Sequence, residues 1–262
     1  MNSLERYLFD LHGYLVVPNA LDKSVVSQLN EILDTRIEQR VEDNQTMYRF
    51  EDLLNWGQPY VDLIDQHSIM PYVEEIVGTT CRLDHVYLDL IRQGLSPIGA
   101  NLHGGAIPPS PTHYFHHHNG RFQNGLTVVA YNLADVNPND GGFACVPGSH
   151  KSNFVFPDAW KNLEQPHPCV QRVTAPAGSA IIFTEALTHG PLPWHGKHER
   201  RTIFYKYSPH SIAWIEDYPQ AENYKGLTDN QRDLMEAPNA RYATRSRTTK
   251  QDLPSTQDVP DK

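Results

Sequence analysis

The chain has 262 residues with a formal net charge of −9, and 39% of the residues are apolar. This length and apolar fraction allow one substantial core, and the negative charge argues against binding of nucleic acid. The 20 prolines and 16 glycines favour many turns over a helical bundle. No apolar stretch has the length of a membrane span, and neither the N-terminus nor the three scattered cysteines indicate export. We therefore expect a cytoplasmic protein without a membrane partner.

The N-terminal part of the chain predicts one strand and two helices. Residues 14–17 are apolar and follow Gly13, which indicates a strand. Apolar residues between Val25 and Leu33 recur at helical spacing, and a second helix is predicted at 71–77.

The remainder of the chain reads as short strands separated by loops. The long stretch at 97–124 is rich in Pro, Gly and His and predicts an irregular region. Strands are predicted at 81–92, 126–133, 170–173, 180–183 and 202–207. This pattern predicts a mainly β fold with flanking helices, in the form of a double-sheet jelly roll.

The C-terminal part of the chain is polar. Residues 1–224 are expected to form the jelly-roll domain, including its N-terminal helical portion. Residues 225–262 are expected to form a polar tail that is partly disordered.

Two histidines stand in separate motifs, and an arginine follows the second. His103 is followed by two glycines, and His189 precedes Gly190 and Pro191. Two imidazoles far apart in the chain, with a later arginine such as Arg200, can form a mononuclear iron site that also binds a dicarboxylate. The acid that usually completes such a site is missing after His103.

Two further segments complete a resemblance to a known family. Residues 9–18 look like the first strand of the phytanoyl-CoA dioxygenase family, within the Fe(II)/2-oxoglutarate-dependent oxygenases. Residues 135–151, which end on a Pro-Gly-Ser-His-Lys sequence, resemble the most specific motif of that family. The spacing of His189 and Arg200 is similar to that of its distal iron ligand and its 2-oxoglutarate anchor. The resemblance covers roughly residues 5–215.

The resemblance implies a double-stranded β-helix of the cupin-like type. It also implies Fe(II), 2-oxoglutarate and O₂ as cofactors and a small organic substrate, which would be hydroxylated by ferryl hydrogen abstraction and rebound. His103 and His189 would bind the iron, and Arg200 would bind 2-oxoglutarate. The sequence does not identify the substrate or the oligomeric state, and no basic cluster indicates a CoA carrier.

Three side chains near the expected anchor leave alternatives. Arg200 and Arg201 would face opposite ways on a strand, and the spacing from His189 favours Arg200. Thr202 shares the face of Arg200 and could donate a hydroxyl hydrogen bond to the same carboxylate. Tyr131 is expected either to hydrogen-bond the cosubstrate or to pack in the core.

Gly105 departs from the family pattern, in which the first motif is His-x-Asp or His-x-Glu. Glycine has no side chain that could bind iron. Related halogenases carry a small residue there, and chloride takes the free coordination position, so Gly105 is a candidate halide site. The sequence therefore leaves open three functions: a hydroxylase, a halogenase that uses chloride, and a jelly-roll binding protein without activity.

Other polar residues offer further candidates. Glu185 lies four residues before His189 and could replace the missing acid, orient a ligand or be structural. His150 is expected to hold its turn by hydrogen bonds. The three histidines at 116–118 are expected to form a solvated loop or a substrate lid.

Overall fold

The computed structural model describes residues 1–240, which contain five α-helices and eleven β-strands. The helices are α1 (Ser3–His12), α2 (Lys23–Arg40), α3 (Gln58–Val61), α4 (Met70–Ile76) and α5 (Asp229–Leu234). The strands are β1 (Tyr14–Val17), β2 (Met47–Phe50), β3 (Cys81–Ile91), β4 (Phe115–His118), β5 (Arg121–Asn124), β6 (Thr127–Asn132), β7 (Gly142–Cys145), β8 (Gln171–Arg172), β9 (Ala180–Thr184), β10 (His189–Leu192) and β11 (Arg200–Pro209).

Two antiparallel sheets form the body of the protein. The large sheet has six strands in the order β1-β9-β6-β11-β3-β2, and the small sheet has the order β10-β7-β8. Strands β4 and β5 form a separate hairpin. Apolar residues of both sheets, including Val128, Phe143 and Phe204, share one buried cluster. The predicted mainly β jelly roll with flanking helices is thus confirmed.

The large sheet has a buried region on each of its two faces, because successive side chains along a strand point to opposite faces. On β6, Val129 and Tyr131 join the core that contains Leu29 and Leu33 of α2. The neighbouring Val128 and Ala130 point to the opposite face and join the cluster between the sheets. Alternation of this kind is the ordinary consequence of strand geometry, and it decides which side chains can reach a site between the sheets.

Most of the predicted elements match observed ones closely, and three of them are examples. The helix expected from Val25 onward is part of α2, the helix expected at 71–77 is α4, and the strand expected at 81–92 is β3. Helix α1 was not predicted, although Asn2 and Glu5 form a capping box at its start. The β4–β5 hairpin also lies inside the region that was predicted to be irregular.

The beginning of the predicted polar tail is folded, so the ordered part extends past the expected boundary at 224. Thr228 caps α5 and accepts a hydrogen bond from the backbone of Gln231. Leu227, Leu234 and Met235 are buried in the same core as Leu83 of β3. The partly disordered tail was expected at 225–262, and its residues 241–262 lie outside the described part.

No helix within residues 1–240 is both long enough and apolar enough to cross a membrane.

Candidate active site

A narrow pocket lies between the two sheets, and side chains from both sheets line it. The large sheet contributes Arg200, Phe204 and Lys206 from β11, and the small sheet contributes His189 from β10. His103 and Glu185 also line the pocket, together with Arg49 and Asp89. The pocket therefore contains both histidines and the arginine that the sequence singled out.

The backbone brings the two histidines together. His103 donates its N–H to the carbonyl of His189 at 2.7 Å, and His189 donates to the carbonyl of His103 at 2.9 Å. This reciprocal pair is an isolated β-bridge at the start of β10. It places the two ring centroids 4.4 Å apart, so both imidazoles can reach one common ion.

Both imidazoles present the same nitrogen to the pocket. Nδ1 of His189 lies 2.7 Å from the carbonyl oxygen of Leu187, and Nδ1 of His103 lies 3.2 Å from that of Asn101. A carbonyl can only accept, so each Nδ1 carries the proton and each Nε2 keeps its lone pair. This is the tautomer that binds metal ions through Nε2.

Burial keeps both rings neutral. It lowers the pKa of His189 to about 3, with a further contribution from the nearby His103 ring. His103 is partly exposed at the rim, but the protein atoms around its ring also lower its pKa. Neutral imidazole is the form that metal ligation requires.

A tight turn places Glu185 beside His189. The backbone N–H of Leu187 donates to the carbonyl of Thr184 at 2.9 Å, which folds residues 184–188 back on themselves. As a result, Oε2 of Glu185 lies 3.7 Å from Nε2 of His189. The segment is therefore coiled and not extended, which brings two side chains that are four residues apart into one pocket.

Lys206 pairs with the other oxygen of this carboxylate. Its Nζ lies 2.8 Å from Oε1 of Glu185, and both side chains are almost fully buried. Burial by itself would raise the pKa of Glu185, but the Lys206 ammonium beside it holds that pKa well below its usual range. Glu185 is therefore a carboxylate at neutral pH.

Arg200 and Arg201 lie on opposite faces of β11. Arg201 points toward α2 and forms ion pairs with Asp34 at 2.7 Å and with Glu199 at 2.6 Å. Arg200 is buried in the pocket lining, and its Nε has no hydrogen-bond partner among residues 1–240. A buried guanidinium with an unsatisfied donor is suited to bind a carboxylate.

The segment that carries His103 packs tightly on the turn of Glu185. Gly105 donates its backbone N–H to the carbonyl of Glu185 at 3.0 Å. The φ angles of Gly104 and Gly105 are +72° and +105°, values that other residues rarely adopt. A Cβ on Gly104 would lie 2.7 Å from the carbonyl oxygen of Leu187. An acid at 105 would therefore need a different backbone.

Sequence comparison agrees with this geometry. The profile of the family described as Phytanoyl-CoA dioxygenase (PhyH) matches residues 9–202. The chain belongs to the phytanoyl-CoA dioxygenase family. No curated protein matches the sequence significantly.

Several solved structures share the phytanoyl-CoA dioxygenase fold of this chain. HygX from Streptomyces hygroscopicus, with nickel and 2-oxoglutarate bound, superposes with a TM-score of 0.74 at 21% identity, over 87% of this chain and 95% of that chain. The non-heme alpha ketoglutarate dependent carbocyclase SnoK, from nogalamycin biosynthesis, gives 0.61 at 14% identity, over 80% and 85%. AviO1 from Streptomyces viridochromogenes Tue57 gives 0.57 at 18% identity, over 84% and 98%.

The residues present fit the cofactors of the phytanoyl-CoA dioxygenase family. Two imidazole lone pairs meet in one pocket, and the same pocket is lined by Arg200, whose buried Nε has no hydrogen-bond partner within residues 1–240. Within residues 1–240, no group of three or more His, Cys, Asp or Glu side chains is arranged to hold a metal ion. The pair His103 and His189 is therefore the basis of any metal site here.

Thr202 and Tyr131, the two other candidates for contact with 2-oxoglutarate, point to opposite faces of the large sheet. Thr202 lies on the same face of β11 as Arg200, and its Oγ1 is 3.4 Å from Oδ1 of Asn132. Tyr131 points the other way, into the helix-side core, with its ring centroid 6.2 Å from that of Tyr205. Of the two alternatives for Tyr131, packing in the core is the one observed, and β6 turns the neighbouring Asn132 to the pocket side instead.

The other conspicuous histidines lie away from the pocket. Nε2 of His150 donates to the carbonyl of Asp10 at 3.0 Å, and its ring packs edge-on against Phe115. The histidines at 116–118 are exposed on β4. His150 thus holds its turn against α1, as the sequence indicated.

An outer cavity of about 540 Å³ opens beside His103 and Glu185. Arg49 and Tyr87 line it, and Arg49 binds Asp89 of the inner pocket through two hydrogen bonds of 2.7 and 2.8 Å. Trp214 stacks on His113 at its rim, with ring centroids 5.0 Å apart. Sequence reasoning missed these residues, although the alternation on β3 places Tyr87 and Asp89 on one face.

Proposed function

We propose that this protein is a non-haem iron, 2-oxoglutarate-dependent oxygenase that hydroxylates a small organic molecule. In this proposal His103 and His189 bind Fe(II), and Arg200 binds the remote carboxylate of 2-oxoglutarate. The observation that carries the proposal is one pocket with two uncommitted imidazole nitrogens and an unsatisfied, buried guanidinium. Bound iron and 2-oxoglutarate would supply the oxidising chemistry.

The protein residues would bind, orient and shield the cofactors. The carbonyls of Asn101 and Leu187 fix the two imidazole rings, so that ligand geometry is set before a metal arrives. Arg200 offers a planar donor pair that stays charged, and Thr202 lies on the same face. Phe183 and Phe204 of the large sheet, together with Phe143 of the small sheet, would limit the access of water to the inner pocket.

The outer cavity supports a polar substrate of small to medium size. Its lining includes the charged residues Arg49, Glu51 and Lys206, and Trp214 offers an apolar ring at the rim. HygX, which shares this fold, has been crystallised with nickel, 2-oxoglutarate and hygromycin B bound, so a small molecule can occupy such a structure beside the cosubstrate. We propose substrates of that general character for this protein.

Anaerobic titration with Fe(II) and 2-oxoglutarate tests the proposed roles. Wild-type protein should develop the weak visible metal-to-ligand band, and His103→Ala should lose it. Arg200→Ala should keep the band but need roughly 10- to 100-fold more 2-oxoglutarate, because a hydrogen bond to a charged group contributes about 1.5 to 3 kcal/mol. A band that persists unchanged in His103→Ala would contradict the ligand assignment.

Gly105 favours a halogenase as the second candidate. Turnover in saturating chloride distinguishes the two reactions, because a halogenase would release chlorinated product whereas the hydroxylase releases only hydroxylated product. A protein that bound iron without consuming 2-oxoglutarate would instead indicate a binding protein on this scaffold.

A further inference from the structure

The Glu185 carboxylate faces an imidazole nitrogen with which it cannot share a proton. Nδ1 of His189 gives its proton to the carbonyl of Leu187, so the nitrogen that faces Glu185 is a lone-pair donor. The separation of 3.7 Å between Oε2 and Nε2 is longer than a hydrogen bond. Two electron-pair donors that face each other at this distance are suited to a cation between them.

We propose that Glu185 supplies the carboxylate ligand that the segment at 103–105 lacks. This inference rests on the proposed function, because it completes the same metal site. The acid has moved from the loop of His103 to the turn before His189. As they stand in residues 1–240, these three side chains are not arranged to hold an ion. The Glu185 carboxylate, now 3.7 Å from Nε2 of His189, would therefore shift on entry of the metal to join His103 and His189 as the third protein ligand.

The backbone explains why the acid comes from the turn. The loop of His103 contacts this turn directly, through the hydrogen bond from Gly105 to the carbonyl of Glu185. The two glycines allow that approach, because a Cβ on Gly104 would lie 2.7 Å from Leu187 O and 2.8 Å from Glu185 O. The hydrogen bond from Gly105 to the carbonyl of Glu185 thus joins the loop that lacks the acid to the turn that carries one. It brings that turn next to both imidazoles.

Lys206 acts as a positioning residue for this carboxylate. It holds Oε1 at 2.8 Å and leaves Oε2 on the side of His189. A buried carboxylate without a metal needs a compensating charge, and Lys206 provides it. Glu185 can therefore bind a metal through one oxygen while the other oxygen stays on the ammonium.

This assignment also predicts the reaction type. A carboxylate at the third position leaves no vacated ligand site for chloride and places a negative charge where a halide would have to bind. The protein should therefore hydroxylate, and the glycine at 105 marks a relocated ligand.

Cobalt(II) binding to the full chain tests the inference independently of turnover. Glu185→Gln should weaken Co(II) binding by at least about 100-fold. By comparison, loss of a residue that only supports a ligand, without binding the metal, typically weakens metal binding by roughly 10- to 100-fold. Lys206→Met breaks the same ion pair but keeps the ligand, so its loss of Co(II) affinity should be about tenfold, the lower end of that range. Titration of the visible Co(II) bands gives both affinities.

The double variant Glu185→Gln/Lys206→Met separates ligation from simple electrostatics. It restores the net charge of the pocket, yet it should bind Co(II) as weakly as Glu185→Gln because the ligand is absent. Formate should partly restore the Co(II) bands of Glu185→Ala by filling the third position. Circular dichroism without metal should show that all variants are folded.

Two results would overturn the inference: recovery of wild-type affinity in the double variant, or equal losses in Glu185→Gln and Lys206→Met. Either would show that Glu185 acts only through charge or through the ion pair. The proposed function would fail differently, because His103→Ala would then bind Co(II) as well as wild type.

Discussion

At the scale of single residues, two glycines determine the shape of the site. Gly104 and Gly105 adopt positive φ angles and let the loop of His103 lie against the turn that carries Glu185. A glycine at 105 could indicate a lost ligand when the sequence is considered alone. In the structure the φ of +105° at Gly105 also favours a residue without a side chain.

Gly104→Ala should therefore lower both stability and metal affinity. The left-handed conformation costs an alanine about 1 to 2 kcal/mol, and overpacking against the carbonyl of Leu187 should cost about 1 to 3 kcal/mol more. Gly120→Ala is the matched control, since Gly120 has a φ of +73° and a Cβ there would meet no described atom within 4 Å. Urea unfolding compares the two variants. Equal losses would show that the contact with the turn is unimportant.

At the scale of elements, α1 is held onto the jelly roll by the turn that follows β7. His150 donates to the carbonyl of Asp10 near the end of the helix, and Lys151 pairs with the Asp10 carboxylate at 2.5 Å. Burial lowers the pKa of His150 to about 4, and its Nδ1 has no hydrogen-bond partner within residues 1–240. The specific Pro-Gly-Ser-His motif thus has a structural role at this position.

The neutral His150 should make the fold sensitive to acid. An unfolded histidine titrates near 6.5, so between about pH 6.5 and 4 the unfolded chain binds more protons than the folded one. The contribution of the neutral His150 to the free energy of unfolding is fully present above that pH range. It is lost as pH falls through the range, by up to about 1.4 kcal/mol per pH unit. Unfolding free energies measured with a chelator at pH 7.5, 6 and 5 should fall less steeply in His150→Gln. Parallel pH profiles would contradict this role.

At the scale of the whole molecule, the active site depends on how the two sheets face each other. The large sheet contributes Arg200 and Lys206, the small sheet contributes His189, and a loop contributes His103. The core between the large sheet and the helices supports this arrangement, and α5 belongs to that core through Leu234 and Met235. The last described helix is therefore part of the folding unit.

Leu234→Ala should test that role of α5. Truncation of a fully packed leucine costs about 2 to 5 kcal/mol, whereas Arg232→Ala on the exposed side of the same helix should change stability by less than about 0.5 kcal/mol. Thermal or urea unfolding of the two variants gives the comparison. If Leu234→Ala unfolds like Arg232→Ala, the helix contributes little to the core.

The sequence by itself determined the fold class and the principal pair of histidines. Strand alternation, turn residues and the motifs around His103, His189 and Arg200 are local signals, because side-chain period and backbone preference act over a few residues. They predicted most strands and placed Arg200 and Arg201 on opposite faces. Helix α1 was also signalled locally, by the Asn2 and Glu5 capping box, but was not recognised.

Only the tertiary structure decided what surrounds the two imidazoles. Tyr131 faces the helices. Alternation along β6 shows only that neighbouring side chains point to opposite faces of the sheet. Which of the two faces forms the pocket is decided by the packing of the helices and the small sheet. Glu185 lies beside His189 because the turn between them folds back. Lys206, from another strand, pairs with the same carboxylate. The contact between Lys206 and Glu185 joins residues that are distant in the chain, and its geometry depends on the packing of whole sheets.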